Sequence, residues 1–440
     1  MRSAPQYQDV IARLFPEYAK EDLSGLTRSI TFCVTNACQL RCTYCYEHNK
    51  GGDRMSFETA KKFVDLLLRE EKGMGLYANK ELTPAVVLDF IGGEPLLEID
   101  LIERIVDYFQ EQCFLMGHPW GERFMVSICS NGVAYRDPRV QRFLERHKNV
   151  LSFSVTLDGT REMHDACRVF AGTGEGSYDL AYDAATDWMS RGNYMGSKVT
   201  IAPGNVDRLY EAFCHMLATG YRDIHANCVY EEGWTADHAA ELYRQLKMVG
   251  RKIIADGVSM EDLYFAMFDE GLFAPMDAAD NDNWCGGTGL MIACDWNGNI
   301  LPCIRYMDMS LAGKRPPLVI GNVDDGILRT PECAACWERL GRLTRRSQST
   351  DECFFCPIAK GCAWCSAYNY EVFGTADKRA TFICPMHKAR ALANAWFWPR
   401  YWKASGDGGE YVLHVPDEWA LEIIGAEELA EIKSMCAAPA

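Results

Sequence analysis

The sequence lacks the long apolar segments and the basic excess that mark membrane proteins and nucleic-acid-binding proteins. None of its hydrophobic runs approaches the ~18 residues that a membrane span needs. Residues 1–20 contain no apolar stretch of the ~7–15 residues found in a secretory signal. The chain has 45 lysines and arginines against 61 aspartates and glutamates, and its net charge of −16 disfavours a surface that follows nucleic-acid phosphates. We therefore expect a cytoplasmic protein with no membrane or nucleic-acid partner.

Cysteine is abundant, with 20 among the 440 residues. This share is below that of small disulfide-rich scaffolds, and a chain of this length buries enough core to fold without disulfide bonds. At roughly 100–200 residues per domain, the length corresponds to two or three domains. Clustered cysteines in a cytosolic protein indicate metal binding instead.

The first part of the chain alternates between strand-like and helix-like segments. Apolar, β-branched runs predict strands at residues 29–36, 86–91, 124–130, 151–157, 198–202 and 224–230. Ser56 is predicted to cap a helix, Asp100 to form a capping box with Glu103, and Asn205 to precede a helix that Gly220 ends. Six β/α units with right-handed crossovers form a parallel sheet that curls into a full or partial barrel.

The pattern changes after residue 235. A helical stretch follows, and then regular periodicity fades while ten of the twenty cysteines fall between Cys285 and Cys384. Metal binding stabilises regions that have few continuous elements. The predicted domains are an N-terminal extension (1–28), a barrel (29–235), a helical connector (236–284), a cysteine-rich domain (285–390) and a C-terminal tail (391–440).

Three cysteines follow the first predicted strand in a C-x3-C-x2-C array, Cys38, Cys42 and Cys45. Three thiolates can hold one face of a cubane iron–sulfur cluster and leave one iron open. The alternatives are a zinc site with His48 as a fourth ligand, or cysteines without a ligand. Cys33, inside the strand, is expected to pack as a small hydrophobic residue.

Small and polar residues stand at the ends of the next three predicted strands. The second strand leads into Gly92-Gly93-Glu94-Pro95 and the third into Ser130-Asn131-Gly132, while the fourth contains Ser154 and is followed by Arg168. The carboxyl ends of barrel strands form the face where barrel active sites lie. Together with the cysteine array, these four strand ends resemble the radical S-adenosylmethionine (radical SAM) superfamily.

The resemblance implies that SAM chelates the open iron through its amino and carboxylate groups. Glycines 92 and 93 would let the backbone approach the methionine moiety, and Glu94 suits its ammonium group. Polar side chains after the third strand would reach ribose hydroxyls, Arg168 would bind the carboxylate, and Tyr44 would lie along the adenine through its backbone. The implied SAM-binding residues are Tyr44, Gly92, Gly93, Glu94, Pro95, Ser130, Asn131, Ser154 and Arg168.

The later cysteines resemble the SPASM extension of radical SAM enzymes, which carries two auxiliary 4Fe–4S clusters. Gly298 and Cys303 match its G-x4-C element, whereas the spacing before Cys365 is one residue shorter than usual. The resemblance implies an inner set of ligands (Cys285, Cys303 and Cys365) and an outer set (Cys353, Cys356, Cys362 and Cys384). The alternative is a zinc ribbon formed by Cys353, Cys356, Cys362 and Cys365.

Three further cysteines have open roles. Asn297-Gly298-Asn299 predicts a hairpin that places Cys294 and Cys303 on opposing strands. Cys294 is then either a fourth inner ligand or an ordinary hairpin side chain. Cys333 and Cys336, at the start of a helix, are suited to packing, to iron binding or to contact with a substrate.

The resemblance implies a fold with a partial (β/α)6 TIM barrel and an irregular cysteine-rich SPASM domain. The expected cofactors are three 4Fe–4S clusters and SAM, and the expected reaction begins with a 5′-deoxyadenosyl radical. The function that follows is oxidation or cross-linking, of thioether or C–C type, of side chains in a ribosomally made precursor peptide. Flavodoxin or ferredoxin is the expected electron donor. With 37 residues before Cys38, leader recognition is expected to use the connector, the tail or a separate protein.

Two other functions stay open at this point. Formylglycine formation, as in anaerobic sulfatase maturases, would use an aspartate directly after the G-x4-C cysteine, where this chain has Ile304 and, further on, Asp308. A non-catalytic iron–sulfur carrier or a zinc-stabilised binding module would use the same cysteines without cleaving SAM. The candidate catalytic residues are Asp308 and Glu231, which follows the sixth predicted strand beside Glu232.

Overall fold

Parallel strands form the centre of the fold in the computed structural model, which describes residues 27–283, 285, 287, 291–327 and 330–437. The strands are β1 (Arg28–Thr35), β2 (Val86–Gly92), β3 (Phe124–Ser130), β4 (Leu151–Val155), β5 (Gly196–Ile201), β6 (Asp223–Cys228), β7 (Tyr264–Phe265), β8 (Met291–Cys294), β9 (Asn299–Leu301), β10 (Gly321–Asn322) and β11 (Gly326–Ile327). The six predicted barrel strands are confirmed, with ends that differ by a few residues.

Helices connect these strands and follow them. They are α1 (Phe57–Arg69), α2 (Ile99–Met116), α3 (Pro138–His147), α4 (Arg161–Cys167), α5 (Tyr178–Ser190), α6 (Leu209–Thr219), α7 (Ala236–Ala255), α8 (Pro331–Gly341), α9 (Asp351–Phe354), α10 (Ser366–Phe373), α11 (Cys384–Ser405), α12 (Asp417–Leu421) and α13 (Ala426–Lys433). Within the described residues, no helix combines the length and apolar character that a membrane crossing needs.

Helix boundaries test the predicted caps. The Thr59 N–H donates to Ser56 Oγ at 3.0 Å, so Ser56 caps α1 as predicted. The predicted capping box at Asp100 is wrong, because α2 begins at Ile99 and its N-terminus has no side-chain cap. A 3-10 turn over Pro95–Glu98 runs directly into α2, so Asp100 already lies in the first helical turn.

The barrel strands form two hydrogen-bonded sheets. One sheet has the order β11-β10-β9-β8-β1-β2-β3-β4, and the other has the order β5-β6-β7. Between β4 and β5 the Val155 N–H donates to Met195 Sδ at 3.3 Å. A cavity of about 680 Å³ lies along this seam, and Ser127, Ser154, Lys198 and Asn227 line it. The barrel is therefore partial, and both polar and apolar side chains line this cavity.

The cysteine-rich region continues the barrel sheet. Strand β8 pairs in parallel with β1, from Ser29 opposite Met291 to Phe32 opposite Cys294. The predicted hairpin around residue 298 is confirmed, because β8 and β9 pair antiparallel with Cys294 opposite Ile300. The predicted place of Cys303 on the opposing strand is wrong, because β9 ends at Leu301 and Cys303 precedes the 3-10 turn that follows. The loops that carry the later cysteines consequently lie beside the carboxyl end of β1.

Candidate active site at the strand ends

The end of β2 is joined to the first-cysteine loop, which we define as residues 36–53. The Gly93 N–H donates to Thr35 O at 3.0 Å, and the Glu94 N–H donates to Ala37 O at 2.8 Å. A Cβ atom at Gly93 would lie 2.3 Å from Ala37 O, and one at Gly92, where φ is +148°, would lie 2.0 Å from Thr35 O. Only glycine allows this approach of two backbones.

The first-cysteine loop brings Cys38, Cys42 and Cys45 together. Burial raises the pKa of Cys42 to about 11, the Arg168 and Lys50 charges oppose that shift, and the Cys45 and Cys38 thiols add to it. Cys38 Sγ accepts hydrogen bonds from the Leu40 N–H at 3.4 Å and from Asn131 Nδ2 at 3.7 Å. Nearby cations and N–H donors favour the thiolate form that iron requires.

Glu94 ties the ends of β2 and β3 together. Its buried carboxylate accepts hydrogen bonds from Ser130 Oγ at 2.7 Å, the Asn131 N–H at 2.8 Å and the Leu96 N–H at 3.1 Å. Burial raises the pKa of Glu94. Ser130 Oγ also accepts from the Gly132 N–H at 2.9 Å. The side chain of Ser130 is thus engaged within the protein, and its contact with a ribose stays a prediction.

Tyr44, Asp158 and Arg168 form a buried chain of hydrogen bonds across the barrel mouth. The Tyr44 hydroxyl donates to Asp158, and Arg168 Nη1 donates to Tyr44 Oη at 2.9 Å. Burial raises the pKa of Asp158, while Arg168 opposes that shift. Arg168 Nε is buried and has no partner among the described residues. This orphaned donor beside the three cysteines fits the carboxylate of SAM.

The structure brings the inner set together. A Cβ atom on Gly287 would lie 3.3 Å from Cys303 Sγ and 3.6 Å from Cys285 Sγ, so glycine leaves room between these thiols. Burial raises the pKa of Cys303, and the Cys365 and Cys285 thiols add to the effect. Cys365 Sγ accepts a hydrogen bond from the Tyr368 N–H at 3.4 Å. These positions fit the shared cluster that the resemblance implies.

The outer set is also brought together. Burial, followed by the nearby thiols of Cys362, Cys356 and Cys353, raises the pKa of Cys384 to about 11. Cys365 lies near Cys285 and Cys303 instead, which separates it from the other three cysteines of the zinc-ribbon alternative. Among the described residues, no three His, Cys, Asp or Glu side chains meet closely enough for a single metal ion. A cubane cluster is larger than an ion and holds its thiolates farther apart.

Cys294 and Cys33 lie near each other in the core. Cys294 is fully buried on β8, its Sγ donates to Asp295 O at 3.4 Å, and its thiol raises the pKa of Cys33. Cys33 is buried and packs at 3.9 Å from Met309 Sδ. These contacts place the Cys294 side chain in the core of the hairpin near Cys33, and its role as a fourth inner ligand stays a prediction. Cys336 lies on α8, where its pKa is raised by burial and by Cys333.

The two candidate catalytic carboxylates lie where the first-cysteine loop meets the loop after Cys303. The His48 N–H donates to Met309 O at 2.7 Å. Asp308 is exposed and accepts from Asn49 Nδ2 at 3.3 Å. Glu231 forms an ion pair with Arg305 at 3.7 Å. The two carboxylates thus lie on the same side of the barrel as the cysteines.

Arg305 is a site residue that the sequence analysis missed. Its guanidinium lies over the Tyr46 ring at 4.5 Å from the centroid, and it is 3.7 Å from a carboxylate oxygen of Glu371 as well as from Glu231. Its side chain is only 16% exposed. An isolated arginine after a cysteine forms no recognisable pattern, so only the folded arrangement identifies it.

Comparison with known proteins agrees with this geometry. Residues 32–244 match the radical SAM superfamily. An uncharacterized protein of Methanocaldococcus jannaschii is 45% identical over 75 residues, which are 17% of this chain and 22% of that protein. The radical SAM cyclopropyl synthase TigE of Paramaledivibacter caminithermalis is 24% identical over 130 residues, 27% of this chain and 25% of TigE. The chain thus spans about a quarter of the length of these curated relatives.

Solved structures share the fold. Native anSMEcpe with bound AdoMet aligns with a TM-score of 0.61 and 15% identity, over 87% of this chain and 100% of anSMEcpe. SuiB of Streptococcus suis, bound to its precursor peptide SuiA, aligns with a TM-score of 0.54 and 13% identity, over 87% of this chain and 82% of SuiB. At these identities the likeness concerns the fold. Residues 32–244, which include the three cysteines after β1, are therefore a radical SAM domain.

Proposed function

We propose that the protein is a radical SAM/SPASM maturase that oxidises or cross-links side chains of a ribosomally made peptide. The observation that carries this proposal is the grouping of ten cysteines into one set of three and two further sets. Tyr46 directly follows Cys45 of the first set, and its ring contacts Arg305 in the loop after Cys303 of the inner set. A simple electron carrier would need neither a third set of cysteines nor SAM-binding residues at the ends of the barrel strands.

The first set would hold a 4Fe–4S cluster, which with SAM bound supplies the 5′-deoxyadenosyl radical that abstracts hydrogen. The chain contributes the surroundings. Arg168 would offer its Nε, which has no partner among the described residues, to the SAM carboxylate, and Glu94 would offer carboxylate oxygens to the ammonium group. The glycines at the end of β2 let the first-cysteine loop pack against that strand end, since a Cβ atom there would meet Thr35 O or Ala37 O. Burial of these groups excludes water from the reacting centre.

The inner and outer sets would hold the two auxiliary clusters. A side-chain oxidation removes two electrons from the substrate, and the hydrogen abstraction accounts for only one of them. The inner set lies beside the barrel mouth, so the cluster it holds is placed to accept the second electron. Flavodoxin or ferredoxin is the proposed donor of the electron that starts each turnover.

A peptide would enter at the surface formed by Tyr46, Glu231, Arg305 and Tyr368. The side chain of Glu231 is 47% exposed, so its carboxylate is available to peptide N–H groups, and the 16% exposed Arg305 holds it through an ion pair at 3.7 Å. Ile304 occupies the position directly after Cys303 and offers no base, which supports cross-linking or another oxidation over formylglycine formation.

The test is anaerobic reconstitution followed by reduction with dithionite in the presence of SAM. The wild-type protein should bind about twelve irons if three cubanes form, and it should release 5′-deoxyadenosine. The C38A/C42A/C45A variant should keep about eight irons and lose the cleavage. The control is Cys113→Ala, because Cys113 is buried within α2 and belongs to none of the three sets. Cleavage by the triple variant, or an unchanged iron count, would refute the proposal.

A further inference from the structure

Tyr306 places a hydroxyl in the protein interior, where none of the described residues forms a hydrogen bond with it. It ends the 3-10 turn Ile304–Tyr306, directly after Cys303, and is 0% exposed. Buried polar groups are nearly always paired, so an orphaned hydroxyl indicates a partner that arrives with a ligand.

Tyr306 lies beside the inner set, because its N–H donates a hydrogen bond to Cys303 O at 3.1 Å. Burial and then the thiols of Cys303, Cys285 and Cys365 raise the pKa of Tyr306 well above its usual range. A phenol keeps its proton at neutral pH, since its ordinary pKa is ~10, and it can act as a hydrogen-bond donor. The Leu318 N–H donates to Tyr306 O at 3.2 Å, and the Tyr370 ring lies with its centroid 6.0 Å away. These contacts hold the backbone and the ring of Tyr306 in place.

We propose that the Tyr306 hydroxyl donates a hydrogen bond to a sulfur atom of the cluster that the inner set holds. This inference rests on the proposed function, which supplies that cluster. A hydrogen bond to a cluster sulfur stabilises the reduced, more negatively charged state and raises the reduction potential. Tyr306 would thus prepare the inner cluster to accept an electron.

The first test is a redox titration, followed by electron paramagnetic resonance, of Tyr306→Phe. The variant keeps the ring and removes only the hydroxyl. It is built into the C38A/C42A/C45A protein, so that only auxiliary clusters contribute signals and SAM cleavage plays no part. We expect one cluster to shift to a lower midpoint potential while the other stays unchanged.

The matched control is Tyr221→Phe. Tyr221 is also 0% exposed and its Oη is also unpaired, but burial and Tyr178 account for its raised pKa and no thiol takes part. Loss of the Tyr221 hydroxyl should leave the midpoint potentials of both auxiliary clusters unchanged.

Thermal unfolding gives a second measurement that is independent of potential. Without iron, Tyr306→Phe removes an unpaired buried hydroxyl, so its Tm should equal or exceed that of the parent protein. With iron, the same substitution removes a hydrogen bond, so its Tm should fall below that of the parent. The Tyr221→Phe substitution should shift Tm equally with and without iron.

The outcomes separate this inference from the proposed function. Full iron loading with unchanged potentials in Tyr306→Phe would overturn the hydrogen bond alone. Mössbauer spectra in which one inner iron site changes its ligand would make Tyr306 a ligand, which also overturns the inference. Failure of the parent triple variant to load auxiliary iron would refute the cluster assignment itself, and this inference with it.

Discussion

At the scale of single residues, Arg168 shows how a buried side chain is prepared for a ligand. Its Nη1 donates to Tyr44 and the charge of Asp158 lies nearby, but its Nε is unpaired. We expect Arg168→Lys to keep the charge and lose the planar group that matches a carboxylate. SAM affinity should fall by about tenfold, on the order of 1.4 kcal/mol, in calorimetric titration of the reconstituted protein.

The control for this change is Arg161→Lys on the neighbouring helix α4. Arg161 is half exposed, and its ion pair with Asp179 lies on the surface. Surface ion pairs contribute little, so SAM affinity should be unchanged. Equal affinity losses in both variants would show that Arg168 has no specific role in SAM binding.

Some residue roles were predictable and others were not. The three cysteines after β1 and the glycines after β2 carry their chemistry in residue type and spacing. The hydrogen-bond partners of Glu94 were not predictable, because Ser130 and Asn131 are distant from Glu94 in sequence. Tyr306 and Arg305 have no local pattern, since their importance comes from burial beside cysteines of other segments.

At the scale of elements, the junction between β2 and the first-cysteine loop depends on glycine. A Cβ atom at residue 93 would lie 2.3 Å from Ala37 O, a backbone atom that cannot move without displacing the loop. We expect Gly93→Ala to lower the free energy of unfolding by about 2 kcal/mol or more and to reduce iron binding at Cys38, Cys42 and Cys45. Urea unfolding and iron analysis measure the two effects.

Gly52→Ala is the matched control within the same loop. Nothing lies within 4 Å of a Cβ atom at Gly52. Gly52→Ala should change the free energy of unfolding by no more than about 0.5 kcal/mol and leave iron binding unchanged. If Gly93→Ala were equally mild, the loop would be more adaptable than the backbone contacts indicate.

Element prediction succeeded where the signal is local. Strand alternation, the Ser56 cap and the end of α6 at Gly220, where φ is +109°, all follow from neighbouring residues. The Asp100 cap failed because the 3-10 turn before α2 moved the helix start. The pairing of β8 with β1 was not predicted, since it joins residues more than half the chain apart and depends on tertiary packing.

At the scale of the whole molecule, buried histidines make stability depend on pH. Burial, and then Arg168, lowers the pKa of His164 to about 3, while burial lowers that of His387 to about 4. In the unfolded chain both titrate near ~6.5. Between these values the unfolded state binds more protons, so each histidine lowers stability as pH falls, by up to about 1.4 kcal/mol per pH unit.

Urea unfolding of the iron-free protein from about pH 7 to about pH 4.5 measures this dependence. His164→Gln removes one of the two titrating groups and keeps a partner for Ser177, which lies 3.0 Å from His164 Nε2. The variant should lose less stability than the wild type over this range. Parallel curves for the two proteins would mean that His164 is protonated in the folded state.

The central claim for the molecule is that the three cysteines after β1 hold a cluster whose open iron binds SAM. Its most direct test is electron nuclear double resonance on the reduced, reconstituted protein with SAM isotopically labelled in its amino nitrogen. The account predicts a hyperfine coupling between that nitrogen and the cluster, and its loss in C38A/C42A/C45A. A reduced first cluster that shows no coupling to the labelled nitrogen, with SAM bound, would contradict it.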